Sequence, residues 1–127
     1  MLPGEAQAMK EVILKEARSA ANTADATGVF TAIPVGEGTI VVIQQTGAIT
    51  GTLAGTIETA EAANGLNNLA LTPDDGSVFT SVSGANNVQK KVFNARQNRG
   101  YMKYIGTVGT GPVLLAVTAL YRPKETT

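Results

Sequence analysis

Over most of its length the chain alternates short stretches of β-branched and other apolar residues with clusters of turn-forming residues. From residue 27 onward these clusters recur about every 8 to 12 residues, a spacing typical of antiparallel sandwiches and barrels. No segment in this region keeps a helical period. The pattern therefore predicts strands at residues 27–33, 38–46, 51–60, 66–71, 76–83, 88–96, 100–108 and 112–121.

Alternation within the strands predicts which side chains face the core. In GTLAGTIET, Leu53 and Ile57 fall on the same side of the strand, so we expect both to point inward. The last strand, PVLLAVTALY, is different because both of its faces are largely apolar. We therefore expect its second face to be covered by the other sheet, by a helix or by another subunit.

Turn residues mark several of the connections. Pro-Asp-Asp-Gly at residues 73–76 predicts a tight turn, since proline presets φ and glycine accepts a positive φ. Gln-Asn-Arg-Gly at residues 97–100 and Gly-Thr-Gly-Pro at residues 109–112 each predict a hairpin.

The first residues of the chain have a different pattern. Good helix formers dominate PGEAQAMKEVILKEARSAA, and Met9, Ile13 and Ala17 are spaced along one side of a helix. The pattern predicts a helix at about residues 4–21. Such a helix is marginal alone in water, so its apolar stripe is expected to dock on the chain's own sandwich or on a partner protein.

The size and composition of the chain indicate one folded domain. A chain of 127 residues with 43% hydrophobic and 16% charged residues can form a single core. We therefore divide it into an N-terminal helical arm and linker at residues 1–26 and a single β-sandwich domain at residues 27–127.

The residue types that are missing restrict the chemistry. The sequence contains no cysteine and no histidine, which excludes disulfides, thiolate nucleophiles and histidine-based catalysis or metal binding. Asp74 and Asp75 fit a turn better than a catalytic carboxylate pair, because adjacent side chains diverge. We therefore expect no enzyme activity, no cofactor and no metal.

The chain also lacks the patterns of a membrane or exported protein. Its longest apolar run, residues 112–117, is far shorter than the roughly 20 residues that span a bilayer. The N-terminus has no basic segment followed by an apolar one. We expect a soluble protein without a membrane partner.

Charge is distributed unevenly although the net charge is zero. Residues 22–87 carry six acidic and no basic residues, whereas residues 88–127 carry seven basic residues and one acidic residue. The two halves could pair within the fold, or opposite patches could meet between molecules. Lysines and arginines alternate with aromatics in VQKKVFNARQNRGYMKY, but this segment fits a basic rim better than a nucleic-acid surface.

The C-terminal part of the chain resembles a known family. The segment NARQNRGYMKYIGTVGTGPVLLAVTALYRPK, and more loosely GTLAGTIETA, is similar to small jelly-roll cement or decoration proteins of tailed bacteriophage heads. The resemblance implies an antiparallel jelly-roll-like β-sandwich, here with a short N-terminal α-helix. It also implies a homodimer or homotrimer, made in the host cytoplasm, that lies on the outer capsid surface of the virion and clamps neighbouring major capsid protein subunits.

The function expected from the sequence is therefore binding alone, as a capsid cement protein. A carbohydrate- or receptor-binding β-sandwich of a phage tail or cell surface is the alternative, although six aromatic residues without tryptophan offer little for a glycan platform. The candidate partner-binding residues are those of the helix stripe and the basic segment: Met9, Ile13, Ala17, Lys90, Lys91, Arg96, Arg99 and Lys103.

Overall fold

The computed structural model describes residues 10–20, 27–34, 38–109 and 112–122. Nearly all the regular structure in these residues is β-strand, with one 3-10 helix at Ala95–Gln97. The strands are β1 (Lys10–Ala20), β2 (Thr31–Ala32), β3 (Thr39–Ile49), β4 (Leu53–Ala60), β5 (Leu69–Leu71), β6 (Val88–Asn94), β7 (Tyr101–Val108) and β8 (Val113–Tyr121).

The strands form two four-stranded antiparallel sheets. The first sheet has the order β1-β8-β3-β6, and the second has the order β2-β7-β4-β5. Apolar side chains of both sheets lie between them in one core cluster. The protein is therefore mainly β, built as a sandwich of two sheets.

Alternation along the strands places the core. Leu53 and Ile57 are 0% and 1% exposed, which confirms their predicted inward direction. On β8 the odd-numbered residues from Val113 to Tyr121 are buried, and the even-numbered ones are exposed or half-buried. The core therefore follows the period of two that a pleated strand imposes.

The predicted N-terminal helix is wrong where the structure describes it. Residues 10–20 form the edge strand β1, which pairs with β8 from Lys10 opposite Tyr121 to Ala20 opposite Val113. Leu14 enters the core at 2% exposure, and Gly28 packs so closely that a Cβ there would overlap the Leu14 carbonyl oxygen. Helix propensity differs between residues by only about 0.7 kcal/mol, so strand pairing and burial outweigh it. Residues 4–9 and 21 of the predicted helix lie outside the described residues.

Seven predicted strands overlap observed ones, but the one at residues 76–83 does not form. Only a single bridge, Val82 with Leu53, occurs there. This segment leaves the second sheet after β5 and enters the first sheet at β6, so neither ladder holds it along its length. Phe79 and Val82 still reach the core, at 4% and 3% exposure, which accounts for the apolar pattern.

The turns are confirmed in one case and corrected in two. At residues 73–76 the Gly76 amide donates to the Pro73 carbonyl at 2.9 Å, and Gly76 has a φ of +85°. The predicted hairpins at residues 97–100 and 109–112 instead connect strands of different sheets, because β7 belongs to the second sheet while β6 and β8 belong to the first. Turn residues reverse the chain, but the burial of each strand's apolar side decides which sheet it joins.

Candidate interaction surfaces

Every strand of the first sheet contributes apolar side chains to the outer face of that sheet. In strand register, Leu120, Val41 and Val92 lie side by side, and the next row contains Ile13 and Ile43. We call this surface the apolar face. It comprises Ile13, Val41, Ile43, Val88, Val92, Leu114, Ala116 and Leu120.

The apolar face is exposed to solvent in the described part of the chain. Ile13, Val88 and Leu114 are 57%, 63% and 42% exposed, and the other members are half-buried. Gly47 makes room for one of them, because a Cβ there would lie 2.9 Å from Leu114 Cδ2. A sheet face of this composition, spread over four strands, is typical of an interaction surface.

The outer face of the second sheet has a different character. Glu58 lies opposite Lys103 and Thr56 lies opposite Ile105 on the central strands. Lys103 Nζ also lies 4.9 Å from the centroid of the Phe30 ring, a cation–π contact. This face thus mixes charged and polar groups with half-buried Tyr101 and Ile105, and the outer face of the first sheet is the more apolar of the two among these strands.

A groove opens beside β5, the edge strand of the second sheet. Residues 69–72 form one wall, and Arg96, Gln97 and Arg99 form the other, around a volume of about 390 Å³. We call it the basic groove. Leu69 is 50% exposed at its wall, and both arginines are exposed.

A buried hydrogen-bond network holds the arginine wall of the groove. The Asn98 side chain accepts from the Gly100 amide at 3.0 Å and donates from Nδ2 to the Ile33 carbonyl at 2.8 Å. Thr59 Oγ1 accepts from the Arg99 amide at 2.8 Å and donates to the Tyr101 carbonyl at 2.9 Å. Because Asn98 and Thr59 are 3% and 0% exposed, these bonds fix the backbone from which Arg99 projects.

The Arg99 side chain is held as well. Its Nη1 donates to the Asn67 carbonyl oxygen at 3.0 Å. A guanidinium has five N–H donors, so this contact orients the group and leaves donors for an anionic oxygen. Arg99 is therefore positioned by its own chain and still able to bind.

The predicted site residues do not form a single site. Arg96 and Arg99 meet at the basic groove, whereas Lys103 lies on the outer face of the second sheet and Lys90 on that of the first, opposite Ile43. Ile13 belongs to the apolar face, as part of a strand and not of a helix. Met9 lies outside the described residues. Ala17 belongs to β1, but the side chains that the structure describes in that strand end at Lys15.

Lys91 takes part in an ion pair at the edge of the first sheet. Its Nζ lies 2.8 Å from Asp75 Oδ2, and this hydrogen bond, with a second from the Ser77 amide, lowers the pKa of Asp75. The pair ties the turn at residues 73–76 to β6. Asp74 and Asp75 both lie in this exposed turn.

Several surface residues were missed by sequence reasoning. Val41, Ile43, Val88 and Val92 belong to strands whose two faces both carry apolar residues, the signal that was recognised only for β8. Leu69 and Asn67 gave no signal, because their role depends on Arg99, 30 or more residues away. In the residues that the structure describes, no cluster of acidic side chains could hold a metal and no helix could cross a membrane.

Comparison with known proteins shows a likeness in fold to a solved structure. The chain is similar in fold to the crystal structure of the SPBc2 prophage-derived protein YomS, with a TM-score of 0.57 over 90% of this chain and 94% of that one. The two sequences are 14% identical, so the likeness concerns the fold. No family model matches the chain, and neither does any curated protein.

Proposed function

We propose that the fold is a jelly roll. Strands of this fold pair as if a long hairpin, with strands 1 to 4 running out and 5 to 8 returning, had been rolled into two sheets. The four pairs expected from such a hairpin are β1 with β8, β2 with β7, β3 with β6 and β4 with β5, and all four are hydrogen-bonded neighbours here. The order of both sheets supports this reading.

We further propose that the protein is a non-enzymatic structural component of a bacteriophage virion, bound to the outer capsid surface as a cement protein. The observation that carries the proposal is the apolar face, an exposed surface to which every strand of the first sheet contributes at least one apolar side chain. The likeness in fold to a prophage-derived protein supports the phage origin. The resemblance of the C-terminal segment to decoration proteins supports the capsid role.

In the proposed mechanism the apolar face binds a second copy of the chain and other surfaces bind the major capsid protein. Homo-oligomer interfaces are the more apolar class, whereas surfaces that meet a separately folded partner carry more polar and charged groups. A clamp of two or more copies touches two or more coat subunits. Because it binds only the assembled shell, it stabilises that state by mass action.

The first test of this proposal changes the apolar face. Val88→Glu puts a charge at its most exposed member. Leu66→Glu is the control, since Leu66 is 55% exposed and lies in the connection between β4 and β5 of the other sheet. Light scattering should give a dimer or trimer for the wild type and for Leu66→Glu, and a monomer for Val88→Glu. A wild-type monomer at high concentration, or equal behaviour of both variants, would contradict the proposed self-association.

The second arm of the test uses capsid shells. The wild-type protein should pellet with shells of the candidate coat protein, and Val88→Glu should pellet at least about tenfold less well at equal concentration because it loses bivalent attachment. A protein that oligomerises but does not pellet would exclude the cement function for that shell. Such a result would direct attention to glycans and cell-surface receptors.

A further inference from the structure

We infer that the basic groove binds an extended, acidic segment of a partner protein, which adds as a strand to the free edge of β5. This inference deepens the proposed function by naming the kind of coat-protein segment that the clamp would hold. Only the identity of the partner protein rests on the proposed function.

The edge of β5 is available for strand addition. β5 is the last strand of the second sheet, and its pairing partner β4 lies on one side only. No backbone hydrogen bond to the other side of Leu69, Ala70 or Leu71 occurs among the described residues. In an antiparallel ladder alternate residues direct their N–H and C=O groups to opposite sides, so part of β5 presents these groups outward. Such an edge accepts an extended peptide by main-chain hydrogen bonding.

The charge beside this edge selects an anionic occupant. Arg96 and Arg99 line the same groove as residues 69–72, and Arg99 is oriented there by its bond to Asn67. Arginine pairs with a carboxylate through two parallel N–H···O bonds, which fix direction as well as charge. A strand laid along β5 would therefore bring acidic side chains to the arginine wall.

The groove also offers an apolar contact. Leu69 is half-exposed at its wall, and its neighbour Leu71 is buried at 3% exposure. Side chains of an added strand alternate between its two faces, so acidic residues on the groove side would pack their aliphatic stems on Leu69, and the residues between them would face the opposite side. The fitting sequence is one in which acidic residues alternate with β-branched residues that favour a strand.

The acidic residues described between residues 38 and 109 are poor candidates for the occupant. Glu61 accepts from the Asn67 side chain, Glu58 accepts from Asn68 at 3.0 Å, and Asp75 pairs with Lys91. These three carboxylates are thus engaged within their own molecule. Asp74 lies in the turn at residues 73–76 and not in an extended segment, so this region offers no acidic strand, which favours a different protein over a second copy. A nucleic acid fits less well, because none of the described residues that line the groove is aromatic and could stack on a base.

The test measures binding of a defined peptide to the full chain by fluorescence anisotropy. The probe is a fluorescein-labelled peptide of about six residues, the usual length of a strand, in which Glu and Val alternate. Two control peptides keep its length: one replaces Glu by Lys, and the other has N-methyl groups on the backbone amides of one edge. Binding of the Glu peptide with about tenfold or greater loss for each control is the expected result. Equal binding of either control would overturn the inference.

Variants of the groove supply the second arm. Arg99→Gln should weaken binding of the Glu peptide about tenfold, the effect of losing one charge-assisted contact. Lys90→Gln is the matched control, because it removes the same charge from the outer face of the other sheet and should bind as the wild type does. Equal losses in the two variants, or tighter binding of oligothymidylate than of the Glu peptide, would refute a peptide groove. If Arg99→Gln does not fold, Arg96→Gln replaces it.

The outcome separates this inference from the cement function. The peptide assay contains no shells, and the shell assay contains no peptide. Peptide binding without shell binding would leave the groove established and the capsid role excluded. Shell binding that Arg99→Gln does not weaken would retain the capsid role and remove the groove from it.

Discussion

Two buried polar side chains join the sheets inside the core. The Tyr104 hydroxyl on β7 donates to Gln44 Oε1 on β3 at 2.5 Å, and both residues are 0% exposed. Burial raises the pKa of Tyr104, so the hydroxyl keeps the proton that it donates. Gly55 provides the space, because a Cβ there would overlap both polar atoms.

This pair makes the first prediction. Tyr104→Phe removes the donor from Gln44, whose Nε2 already has no partner among the described residues, and should lower the free energy of unfolding by about 1–3 kcal/mol. Tyr101→Phe is the control, since Tyr101 lies half-buried on the outer face of the same strand and should change stability little. Urea unfolding followed by circular dichroism measures both. Equal stability of the two variants would show that the buried bond contributes nothing.

A double variant separates the bond from the packing of the ring. Adding Gln44→Leu to Tyr104→Phe removes the orphaned amide and should recover much of the lost stability, because replacing both partners with apolar groups can be nearly neutral. No recovery would mean that the shape of the pair, and not its polarity, limits stability.

At the scale of elements, β1 is the segment whose conformation differs most from expectation. A helix would place Ile13 on the docking stripe, whereas the strand turns Ile13 outward at 57% exposure and buries Leu14 at 2%. The two conformations therefore assign the core position to different neighbours. This difference gives a direct test.

Leu14→Ala should destabilise the protein by about 2–5 kcal/mol, the usual cost of truncating a buried leucine. Ile13→Ala should cost less than about 0.5 kcal/mol when measured on the monomer, since exposed positions tolerate truncation. Thermal unfolding at low protein concentration compares them. The reverse order of the two effects would favour a helix over β1.

At the scale of the whole molecule, the two oppositely charged halves of the sequence interleave. Lys91 of β6 pairs with Asp75 of the preceding turn, and Lys103 of β7 lies opposite Glu58 of β4. Opposite charges therefore meet within one chain at these places. The members of the apolar face are themselves uncharged, although Lys90 and Glu11 lie beside them on the same side of the sheet, so association through the face should depend only weakly on salt.

Assembly through the apolar face predicts a stability that depends on protein concentration. For a dimer of this size, the melting temperature should rise by about 3 °C for each tenfold increase in concentration. Val88→Glu should remove this dependence, and Leu66→Glu should retain it. Calorimetry over a hundredfold range of concentration measures the effect, and a flat wild-type curve would argue against an obligate oligomer.

The sequence by itself determined the local features. Alternation identified Leu53 and Ile57 as core residues, since a strand with one buried face must repeat every two residues. Proline and glycine at residues 73–76 identified the turn, because their backbone preferences act within four residues. The apolar pattern on both sides of residues 112–121 identified the strand β8. Its outer side is exposed or half-buried among the described residues, so the expected cover by another subunit stays a prediction.

Only the tertiary structure decided which segments meet. β1 is a strand because β8, about 100 residues further along the chain, offers it a ladder and a core for Leu14. Arg96 and Arg99 form a groove with Leu69 because the connection from β6 to β7 crosses between the sheets beside β5. Pairing of distant strands carries free energy that no local pattern contains, and for this reason the strand order, the apolar face and the basic groove required the folded chain.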